Sequence, residues 1–134
     1  MRVHNYGWRV APTTVVLADD DERFRGLVRS VLVDDGYDVV AEAGDADGVL
    51  ALAAEHDPDV VVVDLVLPGA QGLSAVRALR ADRPHRAVLV LSSLFDPAVE
   101  QEAGELGAGY LDKTEGLDAL EAAIEAQVAR AGGR

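Results

Sequence analysis

Hydrophobic positions along this chain follow two alternating rhythms. Short runs of aliphatic and β-branched residues, among them Val15-Val16-Leu17-Ala18, Val60-Val61-Val62-Val63 and Val88-Leu89-Val90-Leu91, are separated by longer stretches with helical spacing of apolar residues. The pattern predicts strands at about 14–18, 38–42, 59–63, 87–91 and 109–112, and helices at about 22–35, 45–56, 72–82, 97–106 and 116–130. Punctuation agrees with periodicity. Asp45 and Asp96 precede helical stretches as capping residues, Pro97 suits a first turn, and Gly36 and Gly107 follow helix ends where a left-handed residue is favoured. In the last helix Leu117, Leu120, Ile124 and Val128 share one stripe, which leaves Glu121, Glu125 and Arg130 pointing outward. Strands joined through helices pair in parallel with right-handed crossovers. The expected fold is therefore α/β, a doubly wound five-stranded parallel sheet built from five βα units, with ligands at the carboxyl ends of the strands.

Length and composition narrow the picture. A chain of 134 residues, about half of them apolar, suits one compact domain. Residues 1–12 lack periodicity and read as a tail from which Tyr6 and Trp8 dock onto the core, residues 13–130 as the domain, and residues 131–134 as a second tail. Acids outnumber bases 24 to 12, giving a formal charge of −12, so direct binding of nucleic acid by this domain is not expected. The absence of cysteine excludes disulfides, thiolate metal sites and a thiol nucleophile. The start of the chain lacks the apolar core of a signal peptide and no apolar run reaches spanning length, so a soluble, cytoplasmic protein without membrane contact is expected.

Candidate chemistry gathers where the strands end. Asp19, Asp20 and Asp21 follow the first strand, Asp64 closes the valine run, Ser92 and Ser93 follow the fourth strand, and Lys113 follows the fifth. Crowded carboxylates repel one another unless a cation neutralises them, and an all-oxygen cluster suits a hard ion such as Mg²⁺. With that charge neutralised, one carboxylate can act as a nucleophile toward a phosphoryl group while an ammonium supports the developing charge. The same acids read singly are also good helix caps, worth up to about 1 kcal/mol each. Their register with Asp64 and Lys113 favours the shared site. His4, His56 and His85 have no ligand spacing and read as surface residues, and Gly107-Ala108-Gly109 lacks the pattern of a dinucleotide loop.

Together, Val15-Val16-Leu17-Ala18-Asp19-Asp20, Asp64-Leu65-Val66-Leu67-Pro68-Gly69 with Gly72, Val88-Leu89-Val90-Leu91-Ser92 and Gly109-Tyr110-Leu111-Asp112-Lys113 resemble the response regulator receiver domain of two-component signalling, over Thr13 to about Val128. The resemblance implies a flavodoxin-like receiver fold in which Asp64 accepts a phosphoryl group from a sensor histidine kinase. It implies Mg²⁺ held by Asp19, Asp20, Asp64 and the backbone carbonyl of Val66, with Lys113 beside the acceptor. Ser92 takes the place of the switch hydroxyl and Tyr110 that of the switch aromatic. Phosphorylation would repack the face formed by the fourth helix, fifth strand and fifth helix, to control dimerisation or a downstream output domain or protein.

Some residues depart from that pattern. Lys113 is followed by Thr114, where many receivers have proline, which is similar to the branch carrying helix-turn-helix output domains, as is Phe24-Arg25. Val66 sets an apolar side chain beside the acceptor and implies slow self-dephosphorylation, and Ser93 stands where a smaller residue is usual. The chain stops soon after the last helix, as expected of a stand-alone receiver or of a fragment of a longer regulator. Two rivals are a receiver-like interaction module that works without phosphorylation and a phosphatase of the haloacid dehalogenase type, which the Asp19-Asp20-Asp21 run satisfies literally. A nucleotide-binding flavodoxin-like protein fits less well, because the acids repel phosphate.

Overall fold

A computed structural model describes residues 11–69, 73–94 and 96–132. Tyr6, Trp8, His4 and Gly72 lie outside the described residues. Five strands, β1 (Thr14–Ala18), β2 (Asp38–Ala43), β3 (Val60–Asp64), β4 (Ala87–Ser92) and β5 (Gly109–Asp112), form one sheet in the order β2-β1-β3-β4-β5. All four pairings are parallel. Five helices connect and follow the strands: α1 (Glu22–Asp34), α2 (Ala46–His56), α3 (Ser74–Asp82), α4 (Pro97–Glu105) and α5 (Leu120–Gly132). This is the doubly wound arrangement that the hydrophobic rhythm predicts. No helix among the described residues is long and apolar enough to cross a membrane.

Period-two alternation divides the valine run between two cores. Val61 and Val63 join Val16, Ala18, Val88 and Val90 beneath α2, α3 and α4, where Val49, Ala53, Val76, Leu79 and Ala103 close the layer. Val60 and Val62 join Val15, Leu17, Leu89 and Leu91 on the other face, covered by Val28 and Leu32 of α1 and by Leu120 and Ile124 of α5. Every residue of β3 and β4 is buried, as central strands covered by helices on both faces require.

The helix signals work as the sequence suggests. Asp45 Oδ1 accepts the Gly48 N–H at 2.7 Å, Asp96 Oδ1 accepts the Ala98 N–H at 3.0 Å, and Gly36 and Gly107 adopt φ of 94° and 80°. Three details differ from expectation. The last helix begins at Leu120 rather than near 116, because Gly116 at φ 85° separates two short 3₁₀ turns, Lys113–Glu115 and Leu117–Ala119. Asp112 anchors the first of these by accepting from the Thr114 N–H at 2.8 Å. The predicted apolar stripe of α5 does face the core, with Leu120 and Ile124 fully buried and Leu117 and Val128 packed beside them. Glu125 is not free on the outer surface, since the Tyr37 hydroxyl donates to its carboxylate. Finally, β3 and β4 run one residue further than predicted, so Asp64 and Ser92 are strand residues rather than loop residues, and Asp64 pairs in register with Leu91.

Candidate acidic site at the sheet switch point

The sheet order places β1 and β3 side by side, while the chain leaves them in opposite directions along the sheet. A crevice opens there at the carboxyl ends of the strands. Asp19, one residue past β1, and Asp64, the last residue of β3, face each other across it with only 1% and 7% of their surface exposed. Asp20 is exposed at the same mouth. Carboxylate oxygens of Asp19, Asp20 and Asp64 lie within 4.8 Å of one another. That is a compact, hard-oxygen donor set, which fits a small divalent cation such as Mg²⁺. Among the described residues no further acid joins the cluster, so the late acidic pair of a haloacid-dehalogenase-type site is missing there.

Lys113 follows β5 and reaches across to both buried carboxylates. Its Nζ lies 2.9 Å from Asp19 Oδ2 and 3.3 Å from Asp64 Oδ1. The ring of Phe24, one turn into α1, lies under the ammonium with its centroid 4.4 Å from Nζ. Burial pushes the Asp64 carboxyl above its ordinary pKa; the Lys113 charge opposes this, the Asp19 charge adds to it, and hydrogen bonds from Lys113 and the Val66 N–H oppose it again. Burial wins. For Lys113 burial pulls the ammonium down, but the hydrogen bond to Asp19 and the charges of Asp64 and Asp19 more than offset this and raise its pKa above 10.5. The signs follow by linkage. Ionised Asp64 costs the metal-free fold stability once the pH passes the ordinary carboxylate range, whereas Lys113 adds stability that is fully present below pH 10.5 and lost as the pH rises through its raised value.

The backbone carrying the acids is itself clamped. Asp21 belongs to the helix rather than to the cluster: its Oδ1 caps α1 by accepting from the Arg23 and Phe24 N–H groups, each at 3.1 Å, while its own N–H donates to Asp19 Oδ1 at 2.9 Å. Arg25 Nη1 donates to the Asp19 carbonyl at 2.8 Å and its Nε pairs with Glu42 of β2 at 3.0 Å. Arg29, one turn further on, holds the other oxygen of Glu42 at 2.8 Å. The i, i+4 spacing of Arg25 and Arg29 toward an inward acid of β2 is the signal that would have revealed this clamp.

Ser92 and Tyr110 meet at a third place. Ser92 is buried, with 2% of its surface exposed, and its Oγ donates to the Leu94 carbonyl at 2.8 Å while accepting the Leu94 N–H at 3.2 Å. The half-buried Tyr110 donates its hydroxyl to the same Leu94 carbonyl at 3.1 Å. Ser92 is thus engaged with its own loop rather than with Asp64. Ser93 is exposed, and Val66 and Leu94 expose 67% and 75% of their surfaces at the rim. His56 at the end of α2 and His85 are both exposed, and neither joins the acidic cluster.

The family model of the response regulator receiver domain matches residues 15–125. The chain belongs to that family. Receivers of this kind are signalling domains of two-component response regulators, and members bind Mg²⁺ in an acidic pocket. The chain is 32% identical over 120 residues to the transcriptional regulatory protein PdtaR of Mycobacterium tuberculosis, covering 89% of this chain and 58% of that protein. In structure it is similar to a LuxR-family response regulator from an Aurantimonas species, with a TM-score of 0.81 at 38% identity over 88% of this chain and 86% of that one. It also resembles the signal receiver domain of NarL from Mycobacterium tuberculosis, with a TM-score of 0.75 at 34% identity, covering 93% of this chain and all of that one. The chain spans about half the length of the curated regulators it matches.

Proposed function

We propose that this receiver is a phosphorylation-dependent switch whose acceptor is Asp64. The observation that carries the reading is the Lys113 ammonium bridging two buried carboxylates at the sheet switch point, with Asp20 in reach. A sensor histidine kinase is the proposed donor. An Asp64 oxygen attacks phosphorus, the bond from phosphorus to the imidazole nitrogen breaks, and the imidazole leaves with the electron pair and takes up a proton. Mg²⁺, held by Asp19, Asp20, Asp64 and the Val66 carbonyl, would supply positive charge against the phosphoryl oxygens. Lys113 supplies the second positive charge and, through Asp19, keeps the acceptor oriented. The clamp from Arg25 to the Asp19 carbonyl fixes the loop so that the acids need no reorganisation.

Phosphorylation sets Ser92 a choice between acceptors. A phosphoryl oxygen on Asp64 competes with the Leu94 carbonyl for the Ser92 hydroxyl, and a charged acceptor makes roughly twice as strong a hydrogen bond. Release of Leu94 frees the carbonyl that Tyr110 also holds, so the loop after β4 and the ring at β5 rearrange together. The output surface in this reading is the α4, β5 and α5 face, offered to an output domain, a partner protein or a second copy. Beryllium fluoride with Mg²⁺, a tetrahedral phosphoryl mimic, tests the switch. Amide signals of Ser92, Leu94 and Tyr110 are expected to shift together and to stay put in Asp64→Asn; a native protein in which only the acidic loop responds would rule the coupling out.

Val66 bears on signal lifetime. Its isopropyl group offers no hydrogen bond to an attacking water, so the acyl phosphate should hydrolyse slowly. Val66→Asn is expected to shorten the phosphoryl half-life by about tenfold, less than a full general base contributes because an amide orients the water without taking its proton. Decay of the phosphorylated mass with time measures it.

A further inference from the structure

At the opposite edge of the sheet from Asp64, α3, α5 and the entries to β4 and β5 enclose a cavity of about 160 Å³ lined by Arg80, His85, Gln127 and Arg130, with no acid in its wall. In a chain with a formal charge of −12 that composition needs a reason. We propose that this cavity binds a phosphate-type oxyanion, either free phosphate or the phosphate of a small monoester.

Four observations carry the assignment. Arg80 and Arg130 stand as a like-charged pair without a carboxylate partner among the described residues; nearby Asp57 and Asp82 are taken up by Arg83 and Arg86. Burial, and then the charge of Arg130, lower the Arg80 pKa, as expected of cations lacking a counter-charge. Gln127 keeps only 7% of its surface exposed and lines the cavity, and its amide makes no hydrogen bond to another described residue, which leaves it open to a ligand there. Two glycines make room for these lining side chains. A Cβ at Gly107 would lie 2.7 Å from Arg80 Nη2, and one at Gly109 would lie 2.7 Å from Gln127 Nε2. Arg80 is held in place by donating to the Arg86 carbonyl at 2.5 Å.

The competing account is that α3 and α5 both end here and that helix C-termini attract arginine. Two helix ends carry about half a negative charge each, which offsets about one of the two guanidinium charges and leaves the unpaired amide and the cavity unexplained. Donors approach from three elements: Arg80 from α3, His85 from the loop before β4, and Gln127 and Arg130 from α5. A planar carboxylate is satisfied by one bidentate guanidinium, whereas a tetrahedral oxyanion can use donors from several directions. The cavity is remote from the acceptor. Ala87 in its wall and Ser92 at the other end of β4 are roughly 16 Å apart at the ordinary rise of a strand.

Isotope-labelled protein titrated with inorganic phosphate in the absence of divalent metal provides the test, with glycerol phosphate, acetate and chloride at matched ionic strength as parallel arms. Saturable shifts of the Gln127 side-chain amide with phosphate are expected, and about tenfold weaker binding in Arg130→Gln, an exposed position. Arg77→Gln, the same charge change on the outer face of α3, should leave the affinity unchanged. Stronger shifts with the monoester than with free phosphate would name the monoester as the source, and the reverse would name phosphate. Equal shifts with acetate or chloride, phosphate shifts confined to the acidic rim, or unchanged affinity in Arg130→Gln would each overturn the assignment.

Discussion

Replacing Lys113 by methionine is expected to slow phosphoryl uptake by about 100-fold and to destabilise the metal-free fold by about 3 kcal/mol. The kinetic figure follows from removing one preorganised positive group from a water-poor site. The stability figure follows from burial: Asp19 and Asp64 expose 1% and 7% of their surfaces, and Lys113 is the only cation within salt-bridge distance of either among the described residues. Without it, two adjacent carboxylates remain desolvated and mutually repulsive. Mg²⁺ should recover much of the lost stability, because a divalent cation neutralises the same oxygens, but little of the rate. Thermal unfolding with and without Mg²⁺, beside time courses of uptake, separates the two effects. A variant that keeps native uptake would reduce Lys113 to a structural counter-ion.

Arg86→Ala is expected to cost about 3 kcal/mol, and Arg86→Met only about 1 kcal/mol. Arg86 is the most enclosed basic side chain of the described residues, with 3% of its surface exposed. It ties the end of α2 to α3 through the Ala53 carbonyl at 3.3 Å, the Leu79 carbonyl at 3.4 Å, Asp57 at 3.4 Å and Asp82 at 3.1 Å. Its Nε has no partner, so the side chain is held at some desolvation cost. Its two acids are about half exposed, so water takes them back when the arginine goes, and no buried charge is orphaned. The alanine cost is thus mostly cavity, which methionine fills. Urea midpoints for the pair decide the matter: equal, large losses would show that the charge itself, not the volume, supports the fold.

Much of the architecture was legible because β3 and β4 are buried on both faces and so read as continuous apolar runs, with caps such as Asp45 and Asp96 placed one residue before their helices. The start of α5 was misjudged because Leu117 continues the apolar stripe in register although Gly116 breaks the backbone, and a stripe does not report φ. Asp21 looked like a fourth acid of the cluster, since a capping carboxylate and a site carboxylate are identical in sequence. Glu125 looked solvent-facing because its Tyr37 partner comes from the turn between α1 and β2, a contact set by tertiary packing rather than spacing. Asp19, Asp20, Asp64 and Lys113 could be grouped in advance since strand ends in a parallel sheet fall on one rim. The meeting of Ser92 and Tyr110 at the Leu94 carbonyl could not, because a backbone acceptor has no sequence signature. The same holds for the cavity around Gln127, whose glycine floor at Gly107 and Gly109 looked like a loop and a strand entry.

Intact mass after incubation with acetyl phosphate and Mg²⁺, compared between the native chain and Asp64→Ala and repeated without metal, tests the central claim most directly. One added phosphoryl mass that needs metal, decays on standing and is absent from Asp64→Ala is the predicted result. The same mass gain persisting in Asp64→Ala would contradict Asp64 as the acceptor, and a native chain that neither gains mass nor binds Mg²⁺ would contradict the switch and favour a receiver that works by protein contact alone.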